Sequence, residues 1–180
     1  MFPISHFNIT RTPFYYYDKT LLSNTLAKLI RLAGERNYHV HYAVKANANP
    51  EILKLIAASG IGADCVSGGE IKAALEAGFP AKKIVFAGVG KADWEIEYAL
   101  EKKIFCFNVE SAEELSVIEE LAKKKENIAS IALRINPNID AHTHEYITTG
   151  LSENKFGIPI EMLDSIFSQI QRSSITDNSS

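Results

Sequence analysis

Lys45 interrupts the stretch HYAVKANANP, whose other residues read as a buried strand. A lysine at the rim of a semi-buried pocket can act as an amine nucleophile that condenses with carbonyl groups. With a reference pKa near 10.4, only roughly one lysine in a few thousand is neutral at pH 7, so its surroundings matter. Asp64 in IGADCV and Arg134 in IALRIN are charged residues set in apolar runs in the same way. Desolvation or a cation such as Arg134 favours the neutral amine and Asp64 opposes it, which leaves the direction open. A buried ion pair between Asp64 and Arg134 is the alternative reading of those two residues.

Other reactive groups point less sharply. His142-Thr143-His144 puts two imidazoles on one side of an extended segment. That spacing can bind metal, but no third ligand stands at a recognisable distance, so no metal site is assigned. Cys65 and Cys106 are the 2 cysteines of the chain, too few for a disulfide framework, and read as reduced core thiols. Gly68-Gly69 after Ser67 offers a helix N-terminus to an anion, although a capping box already explains Ser67 and Glu70. Trp94 and Tyr98, at helical spacing, read as packing residues.

The elements that must hold these groups recur at regular intervals. Apolar runs begin near His39 (HVHYAVKA), Ile61 (IGADCV), Lys83 (KIVFAG), Ile104 (IFCFNV) and Ala129 (ASIALRIN), each followed by an amphipathic stretch. Asn49-Pro50-Glu51 supplies an N-cap, a proline at the first helical position and a first-turn acid. Ser67 to Glu70 and Ser111 to Glu114 match the S-x-x-E capping box, and Gly60 and Gly78 stand where helices end. An earlier helix is expected over residues 18–33, with Leu22, Leu26, Leu29 and Ile30 inward. Lys123 to Lys125 close a helix that opens on Glu113 and Glu114, which suits the helix dipole and needs no partner.

Alternating strands and helices with short connections imply a parallel sheet with helices outside it, either doubly wound or closed as a barrel. A doubly wound nucleotide fold would carry G-x-G-x-x-G after its first strand. Gly60-Ile61-Gly62 precedes a strand, and Gly88-Val89-Gly90-Lys91 lacks phosphate-loop spacing. The expected fold is therefore α/β, a parallel (β/α)8 TIM-type barrel of which about five strand and helix units are present. A complete barrel takes typically ~250 residues. This chain has 180, and its polar tail QRSSITDNSS shows no sixth strand, so a truncated barrel is expected. Strand parity puts His41, Ala43 and Lys45 on one face, with Gly62 and Asp64, and Ala132 and Arg134, on the corresponding faces of their strands. If the more apolar faces lie under the helices, Lys45, Asp64 and Arg134 all point into the barrel near the C-terminal ends of their strands, where barrel enzymes do their chemistry.

Composition sets outer limits. With 46% apolar and 23% charged residues the chain is an ordinary globular protein. A net charge of -3 gives no basic footprint for nucleic acid. The N-terminus lacks a signal-peptide pattern and no window approaches the ~18 apolar residues of a membrane span, so a cytoplasmic protein without membrane contact is expected.

The ordered stretches Tyr42-Ala-Val-Lys-Ala-Asn47, TPFYYYD, GADCVSGGE, FAGVGK, NVES, LRINPNIDAHTHEYITTG and ENKFGI, between Thr12 and Ile158, carry a resemblance. Together they resemble the pyridoxal-phosphate enzymes with an alanine-racemase-like barrel, a group that includes diaminopimelate, ornithine and arginine decarboxylases. The SGGE, LRINPNIDAHTH and TGLSENKFGI segments are most similar to the diaminopimelate branch. The resemblance implies pyridoxal 5'-phosphate held covalently by Lys45, with Asp64 close to that lysine and Arg134 in the cofactor's support. It places His144 at the substrate rim and Lys155 where two subunits of a homodimer meet. It implies decarboxylation of a small amino acid, meso-diaminopimelate, to L-lysine and carbon dioxide. It also implies an N-terminal segment over 1–17 associated with a C-terminal β domain, and a partial cofactor-binding barrel over 18–180.

In that family a ring-stacking histidine, a glycine-rich phosphate loop, the acid facing the pyridine nitrogen, a cysteine and a tyrosine all follow the KFGI motif. None is assigned in this chain, which alone is expected to be inactive. The alternatives are a non-catalytic or partner-binding fragment of such a barrel, a related basic amino-acid decarboxylase, and a cofactor-free Schiff-base aldolase.

Overall fold

Side-chain caps open the helices where the sequence places them. The computed structural model describes residues 11–137 and 156–176. The chain divides into two compact units, residues 1–38 and 39–180. In the first, helix α1 (Lys19–Gly34) starts on Asp18, whose carboxylate accepts the Leu21 N–H at 2.9 Å. Leu26 is buried and Leu22 and Ile30 are half-buried, whereas Leu29 is exposed.

The second unit alternates strand and helix: β1 (His41–Ala43), α2 (Pro50–Ala58), β2 (Gly62–Cys65), α3 (Gly68–Ala77), β3 (Ile84–Phe86), α4 (Asp93–Lys102), β4 (Cys106–Val109), α5 (Ala112–Lys124), β5 (Ile131–Leu133). Asn49 caps α2 ahead of Pro50, and the hydroxyls of Ser67 and Ser111 cap α3 and α5 by accepting from the N–H groups of Glu70 and Glu114. The two carboxylates reach one residue further back than a capping box requires, to the N–H groups of Val66 and Glu110. Gly78 ends α3 at φ +99°, a left-handed conformation that a side chain would strain.

The five strands pair in chain order, all parallel. Their register fixes which side chains share a face. Ala63, Cys65, Ile84, Phe86, Phe107 and Val109 form the outer face, all at most 2% exposed. There α3 lies against β2 and β3, and α5 against β4. Each large apolar side chain withdrawn from water in this way contributes about 1.5–3 kcal/mol. His41, Ala43, Gly62, Asp64, Val85 and Cys106 take the inner face. That is the parity the sequence implies.

Two strand boundaries differ from expectation. The strand holding Lys45 stops at Ala43, and Val44–Ala46 form a single 3-10 turn in which Val44 is fully buried. The Tyr42 hydroxyl donates to the Asn47 carbonyl at 3.2 Å across this turn, a closure that an alternation pattern cannot reveal. Two further short strands also exist ahead of the polar tail, in a sheet of their own. After Arg134 the chain resumes as β6 (Ile135–Asn136), which pairs in parallel with β7 (Ile158–Pro159), and α6 (Leu163–Thr176) follows. Two residues are too few for periodicity to show, and the tail's first residues belong to α6. The fold is thus a partial parallel β/α barrel. Among the described residues no helix is long and apolar enough to cross a membrane.

Candidate active site

Lys45 stands just past the C-terminal end of β1, exposed, and its ammonium makes no hydrogen bond or ion pair among the described residues. Asp64 is the third residue of β2, opposite Ala43 in the register, and so shares the inner face with Ala43. Its Oδ1 is buried without a hydrogen-bond partner among the described residues. Burial pushes the Asp64 carboxyl above its ordinary pKa, and the positive charges of Lys45 and His41 only partly oppose this. Lys45 and Asp64 are therefore brought together.

Arg134 lies at the break between β5 and β6, with its guanidinium turned toward β4 rather than toward Asp64. Its Nη1 donates to both carboxylate oxygens of Glu110, at 2.9 and 3.1 Å, and the guanidinium lies 5.9 Å from the Phe156 ring centroid. The Asp64–Arg134 ion pair entertained from sequence is not formed; Glu110, two residues beyond Asn108 on the inward parity, takes the arginine instead. Gly157, at φ +105°, lets β7 approach: a Cβ there would stand 3.0 Å from the Arg134 carbonyl. An open cavity of about 350 Å3 lies between these groups, lined by Ala87, Asn108, Glu110, Ala132, Leu133 and Arg134. His142, His144 and Lys155 fall outside the described residues.

Two residues escaped the sequence reading although both lie in quoted motifs. Glu110 of NVES is buried, and besides Arg134 it accepts the Gly88 N–H at 3.4 Å. The side chain of Lys91 in FAGVGK is buried too, with Nζ 2.6 Å from a Glu114 carboxylate oxygen. For Glu110 a signal existed, a charge closing an apolar run on the inward parity, as at Lys45. For Lys91 none did, because it sits in a loop.

The anion-binding reading of Gly68-Gly69 fails for a visible reason. The Gly68 N–H already donates to the Glu95 carboxylate at 2.7 Å, and that carboxylate also accepts from Ala92. Trp94, expected in the packing, is 60% exposed, though the edge of its ring would stand 2.9 Å from a Cβ on Gly68. Tyr98 is half-buried beneath the Lys102 ammonium. Both cysteines are free and buried, and burial pushes the Cys65 thiol up to about 12 and raises Cys106 as well.

Residues 23–176 match the family described as pyridoxal-dependent decarboxylase, pyridoxal binding domain. The chain belongs to this family. It is 61% identical over 167 residues to a diaminopimelate decarboxylase of Bacteroides thetaiotaomicron, covering 92% of this chain and 43% of that relative. The crystal structure of diaminopimelate decarboxylase from Helicobacter pylori complexed with L-lysine superposes with a TM-score of 0.79 at 45% identity, over 94% of this chain and 43% of that one. The M. jannaschii enzyme in co-complex with L-lysine gives a TM-score of 0.82 at 38% identity, over 92% of this chain and 40% of that one. This family member thus spans less than half the length of these relatives.

The residues present fit a pyridoxal cofactor in part. Lys45 supplies a primary amine and Asp64 an oxygen, Oδ1, neither with a hydrogen-bond partner among the described residues, and Arg134, held by Glu110, supplies a cation beside an open cavity.

Proposed function

We propose that this chain is the cofactor-binding part of a pyridoxal-phosphate-dependent decarboxylase acting on meso-diaminopimelate to give L-lysine and carbon dioxide. The observation that carries the reading is the placement of Lys45 near Asp64, whose Oδ1 is buried without a hydrogen-bond partner among the described residues, at the C-terminal ends of adjacent parallel strands. Pyridoxal phosphate, when bound, supplies an aldehyde for amines and a ring that accepts the electron pair left by the departing carboxylate. Lys45 would hold the cofactor and give it up to the substrate amine. Asp64, drawn toward its neutral form by burial, would present a proton or an acceptor to a group beside Lys45. Arg134, oriented by Glu110, would present its remaining N–H donors to an anionic group at the cavity. His144 and Lys155 are proposed at the substrate rim and at a homodimer contact.

The substrate assignment rests on 61% identity with a diaminopimelate decarboxylase and on two relatives crystallised with L-lysine. The proposed division assigns 1–17 to a segment that joins a C-terminal β domain and 18–180 to the barrel. The test is release of carbon dioxide from meso-diaminopimelate, L-ornithine and L-arginine by the full-length decarboxylase of which this chain is proposed to be the cofactor-binding part, loaded with pyridoxal phosphate. Release from diaminopimelate alone is expected. Release from ornithine or arginine at an equal or greater rate would overturn the substrate assignment.

A further inference from the structure

Lys91 places a full charge where charges are costly. Its side chain is 1% exposed, and Nζ donates to the Gly88 carbonyl at 2.6 Å, the Asn108 carbonyl at 2.9 Å and the Glu114 carboxylate at 2.6 Å. It also lies 5.3 Å from the Phe86 ring centroid. An ammonium has three N–H donors, and all three are committed. Burying such a pair gives little net stability compared with apolar residues of similar volume, so stability alone does not account for it.

The bonds lead to the site. The second oxygen of Glu114 accepts the Glu110 N–H at 2.9 Å. The Glu110 carboxylate in turn accepts the Gly88 N–H and two bonds from Arg134. Gly88 is held on both sides, its carbonyl by Lys91 and its N–H by Glu110, at φ +102°. Arg134 is half-exposed, and among the described residues its guanidinium has otherwise only the Phe156 ring.

We infer that Lys91 is a positioning residue for this site: by fixing the Gly88 loop and the Glu110 carboxylate, it fixes the direction of the Arg134 guanidinium over the cavity. Met in place of Lys91 would fill similar volume while leaving two carbonyls and Glu114 without their donor. Glu110 would then lose its anchored backbone, and Arg134 its fixed partner.

The first readout needs no cofactor. In nitrogen-15 relaxation of the full chain, the Arg134 Nε–Hε group is expected to be rigid in the wild type and mobile in Lys91→Met. The second rests on the function proposed above and uses a double-mutant cycle on pyridoxal phosphate affinity. Lys91→Met is expected to weaken binding about tenfold in the wild-type background and less than about twofold in Arg134→Gln, because the two act through one chain of contacts. An equal loss in both backgrounds, or an Arg134 side chain as rigid in the variant as in the wild type, overturns the inference. If the wild type takes no cofactor, the proposed function falls while Arg134 mobility still decides the role of Lys91. If Lys91→Met does not fold, Glu114→Gln, which neutralises the lysine's carboxylate partner and keeps its two carbonyls, is read in the same two ways.

Discussion

At the scale of single residues, Asp64 and His41 make the inner face pH-sensitive in opposite senses. The Asp64 pKa is raised above its ordinary 3.8, chiefly by burial, so the folded chain binds more protons than the unfolded one between 3.8 and the folded value. The stability tied to its neutral form is full at low pH and is lost as pH rises through that folded value. His41 is lowered from 6.5, chiefly by burial, so its contribution is full above 6.5 and is lost as pH falls through its folded value. Asp64→Asn holds the neutral form at every pH. Its urea midpoint is therefore expected to exceed that of the wild type at pH 7, and the difference should shrink toward pH 3. A difference that does not change with pH would contradict this account. The same residue was legible in sequence because parity alone decides a strand's face. That its Oδ1 has no hydrogen-bond partner among the described residues was not legible, since that depends on Arg134 turning to Glu110.

Elements meet most tightly where a glycine admits a neighbour. A Cβ on Gly62 would stand 2.5 Å from the Lys83 carbonyl and would also strike the His41 ring, joining β1, β2 and the turn before β3. Gly62→Ala is expected to cost about 3 kcal/mol in urea unfolding. Gly34→Ala, where a Cβ meets nothing within 4 Å, is the control and is expected to be neutral or slightly stabilising. The five helix starts on Asp18, Asn49, Ser67, Ala92 and Ser111 show how unevenly sequence speaks. Four carry a polar cap that names the start. Ala92 has no side-chain acceptor, and there Glu95 serves instead, accepting the Ala92 N–H at 2.9 Å. Strand ends were less legible than helix starts. The turn at Lys45 is set by a tyrosine hydroxyl bond to Asn47, and β7 is two residues long, so neither leaves a periodic trace.

Across the molecule, the pattern of parallel strands under amphipathic helices was legible because it repeats. The chain of ion pairs and hydrogen bonds from Lys91 through Glu114 and Glu110 to Arg134 was not, because it joins a loop, a helix start and two strand ends far apart in sequence. The packed outer face should keep Cys65 from Ellman's reagent, since the residue is fully buried and burial pushes its thiol up to about 12, far above the assay pH. Cys65 is expected to react only at the rate of global unfolding, and its modification in a fast phase at neutral pH in native buffer would contradict the packing described. The central claim is that Lys45 is the amine that holds the cofactor. It is tested most directly by adding pyridoxal phosphate to the protein, reducing with borohydride and mapping the label by peptide mass. The account predicts one labelled peptide, the one containing Lys45, and no stable label in Lys45→Ala. A label of equal yield in that variant, or on another lysine in the wild type, would contradict it.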